Sequence, residues 1–316
     1  MTYYRKRRAT TRKYGSSKAK PRTKRFARRS TYTAKTRRYT RKPLMSKKRI
    51  LDATTVKKRD NMQCYTNMSA PQSTGTYALA PAIVGGQTSV DVNVNHPRVL
   101  LWNATARDMT NNAGSPNLRV NESARTSSTP YMVGLRESVE IQSGNGVPWQ
   151  WRRICFTFKG FLPGSTATST FTPYRETSSG WARVVNQVAG DRNSGPTYDL
   201  FRTIFAGQNA TDWNDPMVAK TDQTRISVKY DKTRTLATGN TDGFIRKYNM
   251  YHPMGKTLAY DDDENGEVMD SNPLSVDSKQ GMGDFYVLDL IRSRFAAGTS
   301  DAIVFNPQAT LYWHEK

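Results

Sequence analysis

Lysine and arginine recur in short clusters through the opening 59 residues. They are Arg5, Lys6, Arg7 and Arg8; Arg12 and Lys13; Arg22, Lys24 and Arg25; Arg28 and Arg29; Arg37 and Arg38; Arg41 and Lys42; Lys47, Lys48 and Arg49; and Lys57, Lys58 and Arg59. A cationic side chain near a phosphate releases condensed counterions, and this sequence-independent effect dominates non-specific nucleic-acid affinity. Tyr3, Tyr4, Tyr14, Phe26, Tyr32 and Tyr39 lie between the clusters. Each offers a planar face on which an unpaired base can stack for about 1–3 kcal/mol, which favours a single-stranded partner. Two stretches also fit the pattern of nuclear-import signals: Arg5 to Arg8, and the run of Lys20, Arg22, Lys24, Arg25, Arg28 and Arg29.

The charge is confined to this segment. Residues 1–59 hold 24 bases against a single acid, Asp52, whereas the remaining 257 residues hold 24 bases and 25 acids. The formal charge of +22 is therefore the charge of an arm, not of a folded basic patch. Serine, threonine and alanine fill the gaps, and aliphatic residues are nearly absent before Leu44. Such a segment cannot bury enough apolar surface to offset its ordering entropy, so a disordered arm is expected over 1–59, with a folded domain over 60–316.

Other chemistry is sparse. The histidines His96, His252 and His314 are not paired at metal-binding spacing, and Cys64 and Cys155 read as packed thiols. No phosphate-binding glycine loop, dinucleotide fingerprint or nucleophile elbow occurs. Neither an enzyme nor a cofactor is expected. The densest acidic run, Asp261, Asp262, Asp263 and Glu264, could offer oxygens to Ca²⁺ or Mg²⁺. Its acids are contiguous and cannot all face one ion, so a solvated loop is the expected reading. Charge follows Met1 directly, and no long apolar run occurs, so neither a signal peptide nor a membrane partner is expected.

The elements that must carry the arm read as strands: short apolar or alternating runs bounded by Gly, Pro, Asn, Asp and Ser. Candidates are 63–67, 89–94, 98–103, 131–141, 150–162, 181–188, 226–230, 244–250, 285–291 and 310–314. In the run from Arg153 to Phe161, Ile154, Phe156 and Phe158 point one way and Arg153, Cys155, Thr157 and Lys159 the other. That alternation predicts one core face and one sheet edge or interface. A single helix is predicted over 197–206. Two long connections, 105–129 and 163–179, are expected to serve subunit contacts or a receptor surface. The fold class is all-β, a jelly-roll sandwich of two antiparallel sheets behind a disordered basic arm.

With these residues in view, the chain resembles the capsid proteins of genomoviruses and, more distantly, of geminiviruses. The resemblance rests on the Tyr/Arg/Lys/Thr-rich start, on Lys47-Lys48-Arg49-Ile50-Leu51, and on Lys57-Lys58-Arg59-Asp60-Asn61-Met62. Tyr230-Asp231-Lys232-Thr233-Arg234 and Ala309-Thr310-Leu311-Tyr312-Trp313 complete it, so that it spans nearly the whole sequence. It implies a small icosahedral shell of 60 copies, packaging of circular single-stranded DNA, and passage through the host nucleus with import receptors as partners. Sixty arms would supply on the order of 1400 positive charges, enough to offset roughly a thousand phosphates. Geminivirus relatives have a zinc-finger-like Cys/His pattern near the arm's end. Here Cys64 stands without such a cluster, and no metal site follows. The competing readings are a non-viral nucleic-acid-binding module with a β-rich body, and a nucleic-acid-processing enzyme with an unrecognised site.

Overall fold

Two kinds of strand alternation organise this molecule. The computed structural model describes residues 45–70, 75–86, 96–190, 192–239, 241–298 and 300–316, and Lys47–Lys316 form one compact unit. A short helix, α1 (Lys47–Thr54), precedes β1 (Val56–Met62), β2 (Cys64–Thr66), β3 (Ala82–Gly85), β4 (Arg98–Asn103), β5 (Tyr131–Ser143) and β6 (Trp149–Phe158). Then come β7 (Glu176–Thr177), β8 (Gly180–Trp181), β9 (Arg183–Val185), α2 (Gly195–Ile204), β10 (Ser227–Leu236) and β11 (Phe244–Thr257). The remaining strands are β12 (Asp263–Asn265), β13 (Val268–Asp270), β14 (Asp284–Ser293) and β15 (Ala302–Glu315).

Two antiparallel sheets form the body. The first runs β1-β15-β5-β11, with β3 beside β1 on the same edge of β15; the second runs β10-β6-β14-β4. Strands of the first sheet alternate between buried and open residues, as in β15, so only one of its faces is covered. Strands β6 and β14 of the second sheet are buried almost throughout, the pattern of a strand covered on both faces. Between the sheets lie Met62, Trp102, Leu135, Cys155, Phe285, Val287, Leu311 and Trp313, continued by Val139, Ile141, Trp151, Ile291 and Phe305.

The outer face of the second sheet is covered by α2. Pro196 stands in its first turn, where a missing N–H costs nothing, and Leu200, Phe201 and Ile204 lie along one side of the helix. They pack on Ile154, Phe156, Tyr286, Leu288 and Leu290. The alternation around Arg153 therefore needs correction: neither face of β6 is an edge or an interface. Ile154 and Phe156 meet the helix side, while Arg153 and Cys155 point into the space between the sheets, where carboxylates neutralise the guanidinium.

Those carboxylates build the interior's polar centre. Arg153 donates to Asp289 at 2.7 and 2.8 Å and to Glu137 at 2.6 Å. Arg183 donates to the same two acids at 3.0 and 2.9 Å. The indole of Trp151 adds a bond to Asp289 at 2.7 Å, and Arg183 lies over the ring of Trp102. Two acids and two bases, all buried, cancel in charge and tie β5 of the first sheet to β6, β14 and β9. Burial works against ionised Asp289, but Arg153 and Arg183 outweigh it and hold the carboxyl below the usual carboxylate range.

Several expectations shift. The domain starts earlier than residue 60, because α1 and β1 occupy 47–62. The predicted strand over 181–188 is two short pieces, β8 and β9, interrupted at Ala182. The candidate at 89–94 lies outside the described residues. The long connections are pinned inward by buried residues: Arg107 and Arg125 in one, Phe171 in the other.

Candidate nucleic-acid interface

The predicted contacts from Arg5 to Lys42, and the import candidates from Arg5 to Arg29, lie outside the described residues. The last part of the series is described. Lys47, Lys48 and Arg49 open α1, and Lys57, Lys58 and Arg59 sit in β1. Period-two geometry then sorts the strand: Lys57, Arg59 and Asn61 face outward, while Lys58, Asp60 and Met62 turn inward.

Lys58 must therefore be removed from the phosphate-binding set. Its ammonium, buried against the end of β15, lies 3.3 Å from the carboxylate of Glu315. It also donates to the carbonyls of Ala124 at 2.6 Å and Asn121 at 3.2 Å. Glu315 in turn accepts from the Thr126 hydroxyl at 2.5 Å and the Trp313 indole at 2.8 Å. A buried lysine whose charge is already balanced cannot release counterions from a phosphate. Two residues on, Asp60 meets Arg107 at 3.0 Å; burial raises its carboxyl above the ordinary range, against the pull of the guanidinium. Sequence reasoning missed both pairs because the partners stand far away in the chain.

Lys57 and Arg59 open onto the outer face of the first sheet. Arg59 makes only an exposed pair with Glu122, at 3.4 Å. The register carries this face across the sheet. Lys57 is opposite His314 and His314 opposite Tyr131; Asn61 is opposite Thr310, Thr310 opposite Arg136, and Arg136 opposite Tyr251. Farther along, Gln308, Ser138 and Asn249 form another row. Tyr131 and Tyr251 are 44% and 53% exposed, large values for aromatic residues in paired strands. Tyr251 lies over Gly134, where a β-carbon would come within 2.5 Å of the tyrosine oxygen. The glycine thus lets the ring lie flat on the sheet. Cations, amides and exposed rings on one surface are the groups that bind phosphates and stack on bases.

The acidic run does not converge on one point. Asp262 is bound bidentately by Arg125 at 2.5 and 2.9 Å, which holds its carboxyl below the usual range despite burial. Asp263 and Glu264 are exposed on the β12–β13 hairpin. Among the described residues, no group of three His, Cys, Asp or Glu side chains could hold a metal ion. Cys64 and Cys155 are buried and not bonded to each other, and burial pushes the Cys64 thiol up to about 12. No helix among the described residues is long and apolar enough to cross a membrane. Compared with known proteins, the chain matches no family model and no curated protein.

Proposed function

We propose that this chain is the coat protein of a small single-stranded DNA virus of the genomovirus type. Sixty copies of the body form an icosahedral shell, and the arms condense a circular genome inside it. The observation that carries this reading is the abrupt partition of charge. Residues 1–46 hold 18 bases and no acid, and they lead into a body with 30 bases and 26 acids. Numbered along the chain, the eight long strands β1, β4, β5, β6, β10, β11, β14 and β15 are arranged 1-8-3-6 and 5-4-7-2. That order supports the jelly-roll reading, and a double sheet of that kind suits a shell building block. A rigid body whose sheets are tied by a neutral, buried ion cluster keeps its surfaces fixed for repeated subunit contacts. Passage through the nucleus, with import receptors engaging the basic clusters, belongs to the same proposal.

The test is negative-stain electron microscopy of the purified full chain, with the 260/280 nm absorbance ratio. Uniform spherical particles with nucleic-acid absorbance are expected. A monodisperse monomer or dimer across salt and pH would overturn the coat-protein reading in favour of a non-viral nucleic-acid-binding module.

A further inference from the structure

Two edge strands, one from each sheet, lose register where they approach the same cleft. In β10 the ladder with β6 breaks between Val228 and Tyr230, leaving Lys229 as the unpaired residue. In β11 the ladder with β5 breaks between Pro253 and Lys256. Gly255, at φ +62°, takes the left-handed conformation that the second bulge requires. Bulges interrupt a hydrogen-bonded ladder and re-aim a side chain, and they gather next to functional sites. Here they bring Lys229 and Lys256 to one cleft of about 170 Å³, with Lys159 from the end of β6.

The cleft is cationic and uncompensated. No aspartate or glutamate lines it. Among the described residues, the ion pairs include none made by Lys159, Lys229 or Lys256. Lys159 does donate to the Ser278 carbonyl at 2.8 Å. Partial burial first, and the nearby charge of Lys256 second, hold the Lys229 ammonium below its usual range. Thr157 and Ser227 add hydroxyl donors, and Phe285 and Met282 supply apolar walls.

We propose that this cleft is a binding site for a phosphate group, held by Lys229 and Lys256 with Thr157 and Ser227 completing its hydrogen bonds. Ammonium groups bind phosphate as point charges, and bonds with an ionised partner are roughly twice as strong as neutral ones. The volume suits one tetrahedral oxyanion, since pockets for larger organic ligands begin near about 300 Å³. None of the residues that line the cleft belongs to the arm. That its phosphate comes from a packaged nucleic acid rests on the coat-protein reading; the phosphate chemistry itself does not.

The experiment is limited acetylation of lysines in the purified full chain, read by mass spectrometry, with Lys220 and Lys232 as exposed references outside the cleft. Probes are inorganic phosphate, an oligothymidylate with hydroxyl ends, and sodium acetate at matched ionic strength. Inorganic phosphate is expected to slow modification of Lys229 and Lys256 several-fold relative to the references, where acetate does not. Protection by the oligothymidylate as well identifies a backbone phosphate as a ligand; protection by inorganic phosphate alone identifies the free ion. Slowing equal to that at Lys220 and Lys232, or equal with acetate, overturns the site.

Thermal melting of Lys229→Gln gives a second readout. Removing one of two facing charges should leave the melting midpoint without phosphate at or above that of the unmodified chain. The rise that phosphate confers on the unmodified chain should vanish; a rise that persists in the variant overturns the assignment. Protection in a chain that forms no particles would count against the coat protein alone. Nucleic-acid-filled particles without protection would count against the cleft alone.

Discussion

The two sheets differ in what covers them. In the second sheet β6 and β14 are closed on both faces, by the first sheet on one side and by α2 with its neighbouring loops on the other, while the edge strand β10 is largely exposed. The first sheet shows one face to solvent, and that face bears Lys57, Arg59, Arg136, Lys247, Tyr131 and Tyr251. Its lack of apolar cover is a matter of residue choice, since polar side chains stand where the second sheet has Ile154, Phe156 and Leu288. One sheet supplies stability, while the other leaves a surface for something outside the subunit. The buried ion cluster lets the two differ, because it secures the open sheet from its inner side alone.

The largest effect that can sharpen this contrast comes from the chain's start. Deleting residues 1–46 should remove most of the nucleic-acid affinity and leave the melting midpoint of the body unchanged. Deleting 1–59 takes away most of β1 and leaves Glu315 buried without its lysine, and that chain should fail to fold cooperatively by circular dichroism. Lys58→Met isolates the second cause: losing one partner of a buried pair costs about 3 kcal/mol in chemical denaturation. Lys57→Met, one residue earlier and exposed, should change stability by less than about 0.5 kcal/mol. Equal tolerance of both deletions would break the assignment of β1 to the body.

A smaller effect compares the sheets' charged residues. Asp289→Ala leaves two buried guanidiniums sharing Glu137 and should cost about 3–5 kcal/mol, whereas Arg136→Ala on the open face should lie within about 0.5 kcal/mol. Urea denaturation measures both, and a similar cost for the two would show that the open face is not open in solution.

The smallest effect is one of pH. His252 is buried in the space between the sheets, with Cys155 at 3.8 Å, Tyr230 and Phe285 against its ring, and the charges of Glu137, Arg153 and Asp289 nearby. Burial lowers its folded value below 6.5. Above that pH neither state holds the proton and stability is full. As pH falls below 6.5, the unfolded chain takes up a proton that the folded chain resists, and stability declines until the folded value is reached. His252→Gln should flatten that decline in urea midpoints measured against pH. Asp289, held low, adds its own loss only in the more acidic carboxylate range.

Much of the fold was legible because burial left periodic marks. The run at 98–103 matches β4, and the helix predicted over 197–206 is displaced by two residues at each end. What stayed hidden is polar residues facing inward. In β1, Lys58 and Asp60 occupy core positions, made tolerable by Glu315 and Arg107; without those partners on view, the stretch looks like the end of a basic arm. The open face could not be read because its rows come from β1, β15, β5 and β11, whose register only the fold supplies. The cleft of Lys159, Lys229 and Lys256 depends on two bulges, and a bulge at an exposed position leaves no hydrophobic signature.

Strand β15 lies between β1 and β3 on one edge and β5 on the other. It also follows all of its partner strands in the chain. The first sheet therefore cannot be completed before β15 has been made: β5 can pair with β11, but β1 and β3 emerge early and wait for a partner that comes after them. Such non-local pairing makes for slow folding. It also orders events in time, because a partly synthesised chain can present its cationic arm before its body is finished. On the coat-protein reading proposed above, assembly is thereby restricted to chains in which β15 has been made.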